Sequence, residues 1–159
     1  MEKLLRILNE NARMSEEKIA TMLSVDVEEV RSAIRQYEAD GVIRGYKALI
    51  DWEKAGREYV TAHIELKVTP KRDHGFDDIA RRILQFPEVE SVYLMSGGYD
   101  LSVMVSGRTF QEVAMFVARR LSTLESVMAT TTHFVLRKYK DAGIDFCDVV
   151  KDERGHVSP

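Results

Sequence analysis

The hydrophobic period of this chain changes once, and the change divides it in two. Up to Gly41 the apolar residues recur at spacings of three and four: Leu4, Leu5, Ile7 and Leu8, then Ile19, Ala20, Met22 and Leu23, then Val30, Ala33, Ile34 and Tyr37. From Val60 the interval drops to two, with Val60, Ala62, Ile64, Leu66 and Val68 alternating against Thr61, His63, Glu65 and Lys67. The first pattern builds helices with one apolar stripe, and the second a strand with one buried face. With 159 residues the chain has room for one ordinary domain or two very small ones.

The helical block has start and stop signals. Ser15 is placed to cap a helix whose first turn carries Glu16 and Glu17, carboxylates that suit the positive end of the helix dipole. Asp26 and Glu29 have capping-box spacing for a third helix that ends at Gly41. Leu23-Ser24-Val25 is the turn between the second and third helices, and Val42 to Tyr46 is a β-rich stretch. This is the outline of a winged helix-turn-helix over residues 1–50. A polar stretch, 51–58, reads as a hinge.

Beyond it, Phe76, Ile79, Ala80, Ile83 and Leu84 recur as one helix face with Pro87 past its end. Val89–Met95 and Leu101–Val105 read as strands joined by the hairpin Ser96-Gly97-Gly98-Tyr99-Asp100. Thr109 and Glu112 form a capping box for a long helix through Leu124, and Met128–Leu136 is a final strand. Residues 59–141 thus follow the order βαββαβ, the ferredoxin-like unit, and the whole chain is α+β. Two helices cover one face of such a sheet. On the other face Thr61, His63, Ser102 and Met104, with Tyr93 and Met95, are too apolar in places for water, which predicts burial against a second copy. The tail, 142–159, mixes charges without a period and reads as mobile or as a packing arm.

Composition narrows the function. No apolar run approaches a membrane span, and Met1 to Arg6 lead into a charged helix rather than a signal segment. A single cysteine, Cys147, excludes an intramolecular disulfide framework and suits a reducing cytoplasm. His63, His74, His133 and His156 lack metal-ligand spacing, and Gly97-Gly98 precedes neither a Lys-Ser/Thr pair nor a helix, so no metal, cofactor or phosphate loop is expected. A formal charge of -3, with ten Lys/Arg against eleven Asp/Glu in residues 1–57, gives no electrostatic pointer to nucleic acid.

Joint order does give one. Ile7-Leu8, Ser15, Ile19-Ala20 and Gly41-Val42-Ile43-Arg44-Gly45-Tyr46, with Gly56 closing the segment, resemble the helix-turn-helix of the Lrp/AsnC (feast/famine) transcription regulators. Ser96-Gly97-Gly98-Tyr99-Asp100, Val127, Thr130, Thr132 and Lys140 resemble that family's effector-binding module, so the resemblance runs over residues 2 to 141. Ala33 and Asp26 depart from the family's usual basic residue and N-cap serine, which makes the third helix less positive.

The resemblance implies a regulator that binds double-stranded DNA, dimers that assemble further, commonly to octamers, and a small effector, expected to be an amino acid, bound between dimers. On the third helix Arg31, Ser32, Arg35 and Gln36 are then the candidates for base edges or phosphates, where side-chain donors can match guanine and adenine. Arg13, Lys18, Arg44 and Lys47 are candidates for phosphate contacts. A solvated helix face is the plainer reading of the same residues. Gly97 and Gly98 allow a ligand close to the backbone, Tyr99 sits beside them, and Asp100 can take an ammonium group. Thr130 and Thr132 can donate to a carboxylate. A plain hairpin turn and good strand formers are the alternatives. Two other functions stay open: a metabolite-binding module whose helix-turn-helix does not meet DNA, and an enzyme like the sirohaem decarboxylases, which resemble this architecture and in which a histidine such as His133 would serve.

Overall fold

A computed structural model describes residues 2–69 and 75–147. His74, His156 and the tail beyond Cys147 lie outside the described residues. The chain forms two compact units that divide between Ala48 and Leu49.

The first unit is three helices, α1 (Glu2–Glu10), α2 (Glu16–Leu23) and α3 (Val27–Ala39). Leu4, Ile19, Ala20, Val30 and Ala33 are buried together, with Ile34 and Tyr37 packed against them. Ser15 caps α2, its hydroxyl accepting from the Lys18 N–H at 3.3 Å. Asp26 holds the N-cap backbone conformation of α3 but its side chain makes no cap hydrogen bond, so the expected capping box is absent; its carbonyl accepts from the Glu29 and Val30 N–H groups instead. Both turns use left-handed backbone. Ser24 (φ 56) ends α2. Gly41 (φ 68) follows α3 in a Schellman arrangement, with Val42 N–H donating to Tyr37 O at 2.8 Å and Gly41 N–H to Glu38 O at 3.1 Å. The expected wing strand does not form. Residues 42–50 have no ladder partner; the Val42 and Ile43 N–H groups both donate to the Tyr37 carbonyl, which ends α3 instead of starting a strand. Tyr46 is tied back to α3 through its hydroxyl, which donates to Glu38 at 3.0 Å.

The second unit is the ferredoxin-like order: β1 (Val60–Val68), α4 (Gly75–Ile83), β2 (Val89–Leu94), β3 (Leu101–Gly107), α5 (Phe110–Phe116) and β4 (Val127–Phe134). The sheet order is β2-β3-β1-β4, antiparallel throughout. Ala62, Ile64 and Leu66 of β1 and Leu101, Val103 and Val105 of β3 are closed off from solvent beneath Ile79 and Ile83 of α4 and Val113, Phe116, Val117 and Leu121. Leu84, expected on the inner face of α4, lies one residue past the helix and is 53% exposed.

Thr109 caps α5 by accepting from the Glu112 N–H at 3.0 Å, while the Glu112 carboxylate accepts from the Arg108 N–H at 2.8 Å, one residue ahead of the box position. The expected helix to Leu124 stops sooner. It continues past Phe116 as a π turn, Val117–Leu121, where Ser122 N–H donates to Val117 O at 2.9 Å. The Thr123 hydroxyl then takes the Arg119 and Arg120 carbonyls and ends the run. Of residues 51–58, expected as a hinge, 51–57 form a turn within the second unit: Asp51 accepts from the Lys54 and Ala55 N–H groups, and Arg57 N–H donates to Trp52 O. Past β4, β5 (Lys140–Asp141) and β6 (Ile144–Asp145) make a small hairpin through Ala142 (φ 43) and Gly143 (φ 86), so this part of the tail has structure that its lack of period did not announce.

Candidate functional site

Each unit presents one candidate surface. In the helical unit it is the outer face of α3, which exposes Glu28, Glu29, Ser32, Arg35 and Gln36 once Val30 and Ala33 are turned inward. The cations on it differ in availability. Arg31 is held between two carboxylates, Nε donating to Glu16 at 2.9 Å and Nη1 to Glu28 at 2.7 Å. The Glu16 hydrogen bond, then the charges of Glu16 and Glu28, push its pKa further above the guanidinium range. Gln36 donates to Asp40 at 2.9 Å, so its amide is also engaged. Arg35 and Ser32 have no side-chain partner among the described residues. Arg35 is therefore the α3 cation whose hydrogen bonds are all free to meet a groove.

Lys18 is exposed on α2, and Arg13 is exposed in the turn before it, its N–H donating to Asn11 at 3.0 Å. Arg44 folds back over Gly41, where a Cβ would come within 3.3 Å of its Cζ, and Lys47 is exposed in the segment beyond. The sequence placed these cations on the surface. It gave no warning that Glu16, fifteen residues from Arg31, occupies that side chain.

In the second unit the candidate lies at the end of the sheet where β2 turns into β3. Ser96, Gly97 and Gly98 are exposed, and Gly97 adopts φ 145, a conformation that favours glycine. Asp100 is fastened to β1: its N–H donates to Leu66 O at 2.9 Å and its Oδ2 accepts from the Val68 N–H at 2.9 Å. Tyr99 crosses to the uncovered face of the sheet, edge-on to His63 at 5.9 Å between ring centroids. Thr130 and Thr132 do not join it there. They pair with Leu66 and Ile64, whose side chains are in the core, so both threonines share the helix-covered face, and the Thr130 hydroxyl lies 3.4 Å from that of Ser122. Within one protomer the hairpin and the threonine pair do not form a single pocket.

The uncovered face carries a constellation that the sequence pattern did not bring out. His63 on β1 stacks on His133 of β4, the ring centroids 5.8 Å apart with 23° between the planes. His63 Nε2 is 2.7 Å from the Ser102 hydroxyl, and His133 Nε2 is 3.4 Å from Glu65. The alternation of β1 and β4 places both histidines outward, but their being opposite one another depends on the register His63↔His133. With Tyr93 57% and Met95 40% exposed nearby, this face combines aromatic, thioether and polar groups in the manner of an unpaired interface. No group of three or more His, Cys, Asp or Glu side chains suited to a metal ion occurs among the described residues.

The chain matches known proteins along nearly its whole length. The family model described as the Lrp/AsnC ligand binding domain covers residues 61–144. An uncharacterised HTH-type transcriptional regulator of Bacillus subtilis, YugG, is 53% identical over 158 residues, spanning 99% of this chain and 95% of that protein. A proline dehydrogenase transcriptional activator of Rhodobacter capsulatus is 28% identical, over 82% of this chain and 86% of its own. Among solved structures, the leucine response regulatory protein LrpA of Mycobacterium tuberculosis aligns with a TM-score of 0.73 at 26% identity, covering 87% of this chain and 92% of that one. A transcriptional regulator of Neisseria meningitidis, solved as an L-Met complex, aligns with a TM-score of 0.71 over 87% and 89% of the two chains; at 24% identity that likeness is one of fold.

Proposed function

The chain belongs to the Lrp/AsnC family, and from that premise we propose that it is a DNA-binding transcriptional regulator whose second unit assembles copies and senses a small metabolite, an amino acid. The observation that carries this reading is the match to an HTH-type regulator at 53% identity over 99% of the chain. That match takes in α2, the Ser24 turn and α3 as well as the sheet. In this reading α3 enters the major groove, Arg35 and Ser32 reach base edges, and Arg13, Lys18, Arg44 and Lys47 contact phosphates. Arg31 and Gln36 take part only by leaving their present acceptors. The regulator works in the cytoplasm, and its likeness to transcriptional regulators supports a role without catalysis.

The uncovered face around His63 and His133 pairs with a second copy, and dimers assemble further, to an octamer in the simplest case. An amino acid binds at the Gly97–Asp100 turn, with Thr130 and Thr132 reaching it from a neighbouring dimer; the L-Met complex of the Neisseria regulator supports this class of ligand. Coupling follows from linkage. A ligand that prefers one assembly state stabilises it, and that state sets the spacing of α3 helices against half-sites about one DNA turn apart, or multiples of it.

A gel-shift titration on fragments from the chain's own promoter region, at several salt concentrations and with native mass measurement in the presence of each amino acid, tests the reading. A preferred fragment, binding that weakens with salt, and an assembly state that moves with one amino acid are the expected results. Equal affinity for promoter and random DNA would remove the regulator reading and leave a metabolite-binding module.

A further inference from the structure

A groove of about 570 Å³ opens in the second unit at the end of the sheet opposite the Gly97–Asp100 turn. Thr61 lines it and Leu66 pairs with Leu101 beside the turn, so five residues of β1, about 17 Å at strand rise, separate the two places. The volume lies within the range of small-molecule sites. Its walls are aromatic on two sides. Trp52 and Tyr59 stand with ring centroids 6.0 Å apart and 42° between their planes, and Phe146 faces the groove from the β5–β6 hairpin side. The Trp52 wall is already built, because the Asp51-capped turn fixes its backbone and the Arg57 guanidinium covers the indole at 5.0 Å.

The cations around the groove are not equivalent. Lys138 is committed to Asp141 at 2.8 Å and sits over the Phe146 ring at 5.1 Å. Arg137 has no carboxylate partner among the described residues; its guanidinium rests over Tyr139, 5.2 Å from the ring centroid, with its hydrogen-bond donors unspent. Asp51 and Glu53 also line the groove, and the Asp51 carboxylate accepts from the Lys54 N–H; the planar fork with free donors beside aromatic walls suits a carboxylate attached to a flat apolar ring. We propose that this groove is a second ligand site that takes a small aromatic carboxylate, its ring against Trp52, Tyr59 and Phe146 and its carboxylate on Arg137. The site is separate from the Gly97–Asp100 turn.

Trp52 is the single tryptophan of the chain, so its emission reports on the groove directly. The full-length protein is titrated with phenylacetate, and in parallel with acetate and with 2-phenylethanol, which supply the charge and the ring separately. A saturable change in Trp52 emission with phenylacetate, and at least about tenfold weaker responses to the two halves, are expected from the loss of a charge-assisted pair or of ring burial. Arg137→Gln should weaken phenylacetate by about tenfold or more, Arg137→Lys by less, and Asp100→Asn not at all. Because Arg137 is exposed, its variants keep the fold; Asp100→Asn keeps an oxygen for the Val68 amide, and circular dichroism verifies all three. No saturable response, equal affinity in Arg137→Gln, or loss of the response in Asp100→Asn each overturns the proposal. So does an emission change that follows protein concentration and blocks phenylacetate, which would mean that a second copy fills the groove.

Discussion

Asp100 is the residue whose replacement best separates scaffold from ligand site. The ladder between β1 and β4 slips between Lys67 and Val68, so Val68 pairs with Val127 out of step. The Val68 amide, in a residue only 7% exposed, donates instead to the Asp100 carboxylate at 2.9 Å. Asp100→Ala removes that acceptor and leaves a nearly buried N–H with no partner, a loss of about 1–3 kcal/mol. Taking about 2 kcal/mol and a unit of roughly a hundred residues, the melting temperature of the second unit should fall by about 8 °C. Asp100→Asn keeps an oxygen in place and gives up only the charge assistance, so its loss should stay below about 1 kcal/mol, or about 4 °C. Trp52 lies in the second unit and is the chain's only tryptophan, so a thermal melt followed by its emission reads that unit alone. An Asp100→Ala protein melting within roughly 2 °C of the parent would refute the argument that this carboxylate repairs the slip. The same pair of variants assigns function: an amino-acid response lost in the well-folded Asp100→Asn would mean that the charge meets the ligand.

Arg35→Ala should weaken specific DNA binding by about 1–3 kcal/mol in a footprint or gel-shift titration if Arg35 reads a base. Arg31→Ala should weaken it less, because Glu16 and Glu28 already hold that side chain; an equal loss would mean that the ion pairs open on DNA. Ser24→Gly should stabilise the helical unit by about 0.5–1 kcal/mol in chemical denaturation followed by circular dichroism, since a left-handed serine is relieved at some cost in chain entropy. Burial and the hydrogen bond that the Tyr59 hydroxyl donates to Glu90 raise the pKa of that phenol above its ordinary 10.0. The unfolded chain then loses the proton first, so this contribution is whole below pH 10.0 and is lost as pH rises through the folded value. Tyr59→Phe should flatten that alkaline loss in a series of melts.

Periodicity carried the architecture because burial follows it. The alternation of Ala62, Ile64, Leu66 and Val68 names the strand face that meets α4 and α5, and the stripe of Val30, Ala33, Ile34 and Tyr37 names the inner face of α3. Periodicity says nothing of which residues stand opposite one another. Thr130 and Thr132 share a face in the sequence, but only the register with Leu66 and Ile64 reveals that it is the helix-covered one. Asp26 has the spacing for a capping box, yet spacing does not compel its carboxylate to turn toward the helix. The occupation of Arg31 by Glu16 and the stacking of His63 on His133 are long-range facts that no local pattern encodes. The β5–β6 hairpin was not legible, because Ala142 takes a left-handed conformation that alanine does not favour and a two-residue ladder is too short to show a period.

The π turn from Val117 to Leu121 spaces its hydrogen bonds five residues apart, one more than the α-helix before it, while Val117 and Leu121 both stay in the core. The exposed residues between them, Ala118, Arg119 and Arg120, are therefore a place where the chain can change length. Dropping one of the three would let the turn close as ordinary α-helix with Leu121 still on the inner side, so a single-codon deletion that would scramble the face of any other helix in the sheet unit should be absorbed here.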